Sequence, residues 1–450
     1  MKGTPSPLFR LCTRLGIATA YDDFWGRTRE VPDTTLRRCA AALGWPADDT
    51  AEALAQLADL ERQAAGRVLP PVHVMRQAAP TPLRLNGRHA TRFTLVLEDG
   101  AERSGAIDRD GRLQLPEALP CGYHRVTVPD ADARTVLVVC PERCHAPAAF
   151  QDGARWWGPT VQVYALKSRR QWGMGDFTDL RHAVDLAAAQ GAGFVGVNPM
   201  HALYPHDPGR ASPYSPSSRS GLDPLYLDVG AGPGFRVCGA ARARGGQPDF
   251  QARLQQLRDR PHIDRTGVAA VKFEVLRELH AHFHAGERAQ DPSRALAFDR
   301  FREAHDAWLR PLTLFNAWHA LRPDPLPAIG DPRIEAFAER EVAEIDFHAW
   351  LQWEADRQLG EVGAHARAMG LPLGLYRDLA VGVSDDSAEV WARPTLHARG
   401  MSAGAPDEAA NPSGQSWGLP PPLPDRWADE AYEPFAAVLR ANMRHAGALR

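Results

Sequence analysis

The residues best placed to do chemistry fall in three loops. "SRRQWGMGDF" follows the apolar run 160–167 and carries Trp172 and Asp176, flanked by Gly173 and Gly175. "NPMHALYPHDPGRASPYSPSSR" follows the apolar run 194–198 and carries Ser212 and Tyr214. Asp378 closes a third apolar run, 371–376. If these runs are parallel strands, all three loops lie at carboxyl ends, where open α/β sheets and barrels place their sites. Each residue also has a structural alternative: Trp172 as a packed aromatic, Tyr214 as a loop anchor, Asp378 as a helix cap. Their shared location is what favours a site. Tryptophans at 156, 157, 172 and 417 lie in loops beside Asp, Asn and Gln. That mixture suits a sugar, whose apolar face stacks on rings while its hydroxyls take polar partners, although core packing also accounts for a high Trp count.

Other patterns carry less. "ELHAHFH" places His280 and His284 one helical turn apart but lacks the Glu of HExxH, and "CPERCH" puts Cys140, Cys144 and His145 together without a second ligand pair; neither reads as a metal site. There is no GxxxxGK[ST] loop and no GxGxxG after a strand.

The elements that must position these loops follow from periodicity. Residues 5–65 read as helical: "DTTLRRCAAALG" spaces Leu36, Cys39, Ala40 and Leu43 on one face and stops at Gly44. Residues 68–140 switch to short alternating runs cut by Gly, Asp and Pro, as antiparallel strands in a small sandwich or barrel do. From about 155, apolar strands alternate with helices. The run 160–167 reads as a strand, 178–191 as a helix capped by Thr178 and Gly191, 194–200 as a strand, and 347–370 as a helix. This alternation predicts a parallel α/β sheet. Three joints share one form, helix end, Gly, apolar strand: "AAAQGAG-FVGVNP", "AHARAMG-LPLGLYRD" and "ANMRHAG-ALR". The domains expected are a helical module at 1–66, a β-sandwich at 67–147 and a barrel part at 148–450 with a helical insertion near 230–346.

Composition bounds the class. With 450 residues there is length for several domains, and 44% hydrophobic with 24% charged residues is ordinary for a globular protein. A formal charge of −3 favours neither nucleic acid nor an anionic membrane as partner. The first residues lack the apolar run of a signal peptide, and six scattered cysteines suit reduced thiols in the cytoplasm.

At these loops the chain resembles the 4-α-glucanotransferases called amylomaltases or disproportionating enzymes. "VQVYALKSRRQWGMGDFTDL" is similar to the family's first barrel strand and W-G-x-G-D-F loop. "GFVGVNPMHALYPHDPGRASPYSPSSR" resembles its second strand and S-P-Y-S-P-S-S-R glucan-contact loop. "GLYRDLAVGVSDDSAEVW" resembles its G-D-L-x-x-G-V-x-x-D-S-A-x-V-W block, and "SAGAPDEAANPSGQSWGLPP" its active-site loop. "GIATAYDDFWGRTREVPDTTLRRCAAALG" is similar to the N-terminal module of the longer bacterial type. Three departures stand out: Arg377-Asp378 for the usual G-D, a single Pro406 where two prolines are common, and Asp223 where Asn is common.

The resemblance implies a (β/α)8 barrel of the α-amylase clan and retaining transfer of an α-1,4-glucan segment between maltodextrins, without metal or organic cofactor. Retention uses a carboxylate nucleophile and a carboxyl acid/base about 5–5.5 Å apart. It also implies substrate contacts for Trp172, Asp176, Ser212, Tyr214, Asp378, Gln415, Trp417 and Arg450, the last matching the Arg of an R-x-D motif whose Asp is the nucleophile. On this reading the nucleophile, the acid/base and a third carboxylate lie beyond residue 450. The fold expected is therefore an incomplete barrel, and the expectation is a truncated chain inactive alone, the alternatives being a non-catalytic α-glucan-binding protein or one half of a split enzyme.

Overall fold

A computed structural model describes residues 5–87, 89–288 and 291–450. The chain divides into two compact units, residues 5–154 with 395–435, and residues 155–394 with 436–450.

The first unit begins with three helices, Pro7–Arg14, Asp33–Ala42 and Thr50–Gly66. They bury Leu8, Leu11, Cys12, Leu36, Ala53 and Leu57 against one another. Side chains of Ser6 and Asp49 cap the first and third by accepting from Phe9 N and Glu52 N. Between the first two helices lies a hairpin, β1 (Ala20–Asp22) and β2 (Thr28–Glu30). A five-stranded sheet follows, with β3 (Val72–Arg76), β4 (Arg92–Val96), β5 (Glu102–Ala106), β6 (Gly122–Val128) and β7 (Ala133–Cys140) in the order β3-β7-β6-β4-β5. Alternation puts Phe93, Leu95, Val126, Val128, Leu137 and Val139 on its buried face. Phe93 lies so close over Gly105 that a Cβ there would meet the ring at 2.2 Å. One pair departs from the antiparallel expectation: β3 runs parallel to β7. Alternation is the same in both kinds of ladder, so the pattern does not encode direction.

The second unit opens with β8 (Thr160–Val161), helix Phe177–Ala189, β9 (Phe194–Val197), a short hairpin of β10 (His201–Ala202) and β11 (Ser218–Leu222), the helices of Pro233–Arg340, helix Val342–Ala368 and β12 (Gly374–Arg377). Two sequence expectations change here. The strand expected over 160–167 stops at Val161 and turns into a 3-10 helix at Val163–Ala165. Its backbone bonds go elsewhere: Val163 N donates to Asn198 Oδ1 (2.8 Å), and Tyr164 O accepts from Gly175 N (3.1 Å). The cap of helix Phe177–Ala189 is Asp176, not Thr178, and Asp179 completes a capping box.

The last stretch returns to both units. Strands β13 (Ala403–Ala405) and β14 (Gln415–Leu419) form a hairpin that belongs to the first unit, a region the sequence reading leaves within the barrel part. Beside it, Trp427 Nε1 donates to Leu396 O (2.8 Å) and Arg67 pairs with Asp429 (2.9 Å). Helix Glu433–Met443 then leads to β15 (Ala448–Leu449), which pairs parallel with β12. Gly447 lets this strand begin, since a Cβ there would sit 2.0 Å from Leu373 O. The resulting sheet, β15-β12-β9-β8, is wholly parallel, with Val195, Val197 and Leu375 packed on Leu180, Val184, Leu359 and Val362 of the flanking helices.

Candidate functional site

The carboxyl ends of β9, β12 and β15 bring several predicted residues together. Asp378 follows β12 and Arg450 follows β15. Register sets them side by side: Arg450 N donates to Arg377 O (2.9 Å), and Leu379 N to Arg450 O (3.0 Å). The guanidinium then grips the carboxylate with two bonds, Nε to Oδ1 (2.9 Å) and Nη2 to Oδ2 (2.6 Å). Asp378 is buried, while 64% of the Arg450 side chain is exposed. The pairing with Asp378 raises the Arg450 pKa, and the phenol groups of Tyr214 and Tyr376 lie near enough to add to that.

Tyr214 and Ser212 lie exposed on the loop between β10 and β11. The loop's far half is pinned to the segment after β12. Ala388 N donates to Ser217 Oγ (3.2 Å), and Arg219 binds Glu389 through its backbone N (3.1 Å) and its Nη2 (2.6 Å). The near half is pinned by Arg210, which lies 3.6 Å over the Tyr204 ring and binds Asp386 with two bonds (2.8 and 2.9 Å). Tyr214 is thus presented from a braced loop.

Two departures from the family pattern have structural partners. Arg377 points away from Asp378, is buried, and donates to Ala441 O and Asn442 O at the end of helix Glu433–Met443. Burial and the Arg444 charge lower its pKa to about 10. Asp223 is held by Arg265 (2.7 Å), which also donates to Pro208 O in the tyrosine loop (3.1 Å). The pair lines a cavity of about 210 Å³ with Tyr164, His201, Pro213 and Tyr226.

Trp172 and Asp176 have a different setting. Trp172 is half-buried, its ring edge-on to Phe250 at 5.4 Å. Asp176 is 1% exposed, and Arg170 binds both of its oxygens (2.6 and 2.9 Å). The same guanidinium holds Asp179 (2.8 Å) and Asp228 (2.6 Å). Below them, fully buried Lys272 donates to Leu225 O and Leu227 O, both at 2.7 Å. Burial lowers the Lys272 pKa, while Asp176 and Asp228 work to raise it. Sequence reasoning missed Arg170, Asp228 and Lys272. The one local signal was an Arg beside a Gly-rich turn, and Asp228 lies 58 residues away from it.

The histidine pair 280/284 also finds a partner. Both Nε2 atoms lie against Asp346 Oδ2 (2.9 and 2.7 Å), with Arg302 on the other oxygen (3.0 Å). The three groups have metal-ligand chemistry, but the Arg302 charge already answers the carboxylate. In "CPERCH", Cys140 Sγ donates to Met75 O (3.3 Å), and Cys144 is exposed.

His206, in the tyrosine loop, stacks on His319 at 4.4 Å and faces Tyr204, Phe315, Asp207, Arg210 and Asp386. Burial, then the neighbouring His319, lowers its pKa to about 4. The folded state binds this proton less readily than the unfolded state. The stability that depends on neutral His206 is therefore complete above pH ~6.5 and is lost as pH falls toward ~4. Melting temperature followed over that window is expected to fall less steeply in His206→Gln than in the parent. Equal slopes would remove His206 as the cause.

Gln415 and Trp417 lie on β14 in the first unit, both exposed, with Trp417 Nε1 donating to Gln415 Oε1 (2.9 Å).

A wholly parallel sheet flanked by helices, with an acid–arginine pair at its carboxyl ends, defines an α/β protein. A model described as 4-alpha-glucanotransferase matches residues 161–450, and the chain belongs to that family. The MalQ N-terminal beta sandwich domain matches residues 68–141. The 4-alpha-glucanotransferase of Mycobacterium tuberculosis is 37% identical over 481 residues, covering 98% of this chain and 64% of that protein. That of Haemophilus influenzae is 34% identical, covering 75% and 51%. The crystal structure of amylomaltase from Corynebacterium glutamicum superposes with a TM-score of 0.85 at 28% identity, over 99% of this chain and 64% of that one. The chain thus spans about 64% of the length of the mycobacterial relative. Among the described residues, no helix is long and apolar enough to cross a membrane.

Proposed function

We propose that this protein works as a 4-α-glucanotransferase, moving an α-1,4-glucan segment from one maltodextrin to another with retention, and that the residues described here hold the glucan. The observation that carries the reading is the Asp378–Arg450 pair on adjacent parallel strands, with Tyr214 electrostatically close to it. A carboxylate gripped on one side by Arg450 keeps lone pairs for sugar hydroxyls. An exposed Tyr214 ring offers a face to a pyranose. The parallel sheet β15-β12-β9-β8 is read as strands four, three, two and one of a (β/α)8 barrel. Ser212 is assigned to the same glucan loop, and Gln415 and Trp417 to a second one. Asp176 and Trp172 are assigned a positioning role, because Arg170 and Phe250 occupy them. None of these residues is given the nucleophile or acid/base role.

Two measurements test the reading. In the protein purified from its native source, maltotriose is expected to yield glucose and maltopentaose in equal amounts; glucose alone, or no change, overturns transfer. In the 450-residue chain, calorimetry with maltoheptaose is expected to show binding, weakened about three- to tenfold by Tyr214→Ala through loss of one stacking face. No binding by the parent chain overturns the site.

A further inference from the structure

The β1–β2 hairpin displays large rings outside the small core of the helical module. Tyr21, Phe24 and Trp25 are 51%, 54% and 60% exposed. Hydrogen bonds to one buried carboxylate brace the turn that presents Phe24 and Trp25. Asp23, only 8% exposed, accepts from Trp25 N (3.1 Å) and Arg27 N (2.9 Å) through one oxygen and binds Arg29 Nε (3.0 Å) through the other. Phe24 and Trp25 meet edge to face, 5.7 Å apart at 88°. An ordered aromatic tip loses little entropy on binding.

A second contact says what this tip adjoins. Phe24 N donates to Asp407 Oδ2 (3.2 Å) in the loop between β13 and β14, within the same compact unit. The hairpin carrying Gln415 and the exposed Trp417 therefore touches the aromatic turn through its loop. Three half-exposed rings offer roughly 300 Å² of apolar surface, well short of the ~800 Å² per partner of a stable protein interface. They suit a few stacked sugar rings, with Arg27, Thr28 and Arg29 at the rim to meet hydroxyls. We propose that the β1–β2 turn, with Phe24 and Trp25 as stacking faces, is an additional subsite for a long α-1,4-glucan, distinct from the Asp378–Arg450 centre. The proposal rests on the glucan reading above and adds a second place, within the first unit, where a glucan binds.

The test uses the 450-residue chain and amylose. Phe24→Ala/Trp25→Ala is expected to weaken amylose affinity about tenfold while leaving maltotriose affinity unchanged. Equal amylose affinity in a folded double variant overturns the subsite. Should that variant misfold, the parent chain decides: N-bromosuccinimide oxidation, read by peptide mass, is expected to spare Trp25 when amylose is present. Protection of Trp417 without Trp25 overturns this subsite alone. Protection of neither overturns this subsite alone while maltoheptaose still binds the parent chain, and together with the glucan reading beneath it when maltoheptaose does not bind. Protection of Trp25 by an unrelated protein but not by amylose overturns it in favour of a protein contact.

Discussion

Replacing Arg170 with alanine is expected to destabilise the second unit by about 3 kcal/mol. One guanidinium there answers three carboxylates, Asp176, Asp179 and Asp228, whose side chains are no more than 5% exposed. Removing one partner of a buried ion pair costs about 3–5 kcal/mol because the other charge is left uncompensated. The lower end applies because 34% of the Arg170 side chain reaches solvent, where water screens part of the attraction. Asp176 also caps helix Phe177–Ala189, so the loss spreads to the helix start and to the Trp172 loop before it. Arg170→Lys is expected to recover only part, since an ammonium lacks the planar fork that reaches three acids. Adding Asp228→Asn to the alanine variant is expected to restore some stability by removing a repelling charge. Calorimetric melting checks the series. A loss below about 0.5 kcal/mol for Arg170→Ala, typical of a surface change, would show that the cluster does not hold this unit together.

Asp378→Ala is expected to have the largest effect on glucan binding. The carboxylate follows β12 directly, is buried and is gripped by Arg450 with two bonds. A hydrogen bond to a charged group contributes about 1.5–3 kcal/mol, so maltoheptaose should bind roughly ten- to a hundredfold more weakly. Stability should change little, because the Arg450 side chain is 64% exposed and exposed ion pairs contribute about 0–1 kcal/mol. Weakened binding with an unchanged melt is the expected signature. Unchanged binding would move the glucan away from this acid.

The parallel architecture could be read from sequence because helix and strand differ in period, and because Gly191, Gly370 and Gly447 mark the joints. Even the strand at Ala448–Leu449 follows from its likeness to the two joints before it. Pairings distant in sequence could not be read that way. Asp378 meets Arg450 across 72 residues, and Arg219 meets Glu389 across 170. The early end of β8 was hidden for the same reason: the acceptor that diverts Val163 N is the side chain of Asn198, just past β9 and 35 residues away.

The sequence by itself determined the family, the loops and the residue types of the site, since motif chemistry and hydrophobic period are local properties of a chain. Only the tertiary structure decided what each side chain is free to do. Asp176 and Asp378 look alike as acids that come after apolar runs. Folding ties one to a shared guanidinium and a helix start, and pairs the other, also buried, with an exposed arginine. The difference comes from long-range packing, which brings Arg170 and Lys272 around the first acid and sets an exposed Arg450 against the second.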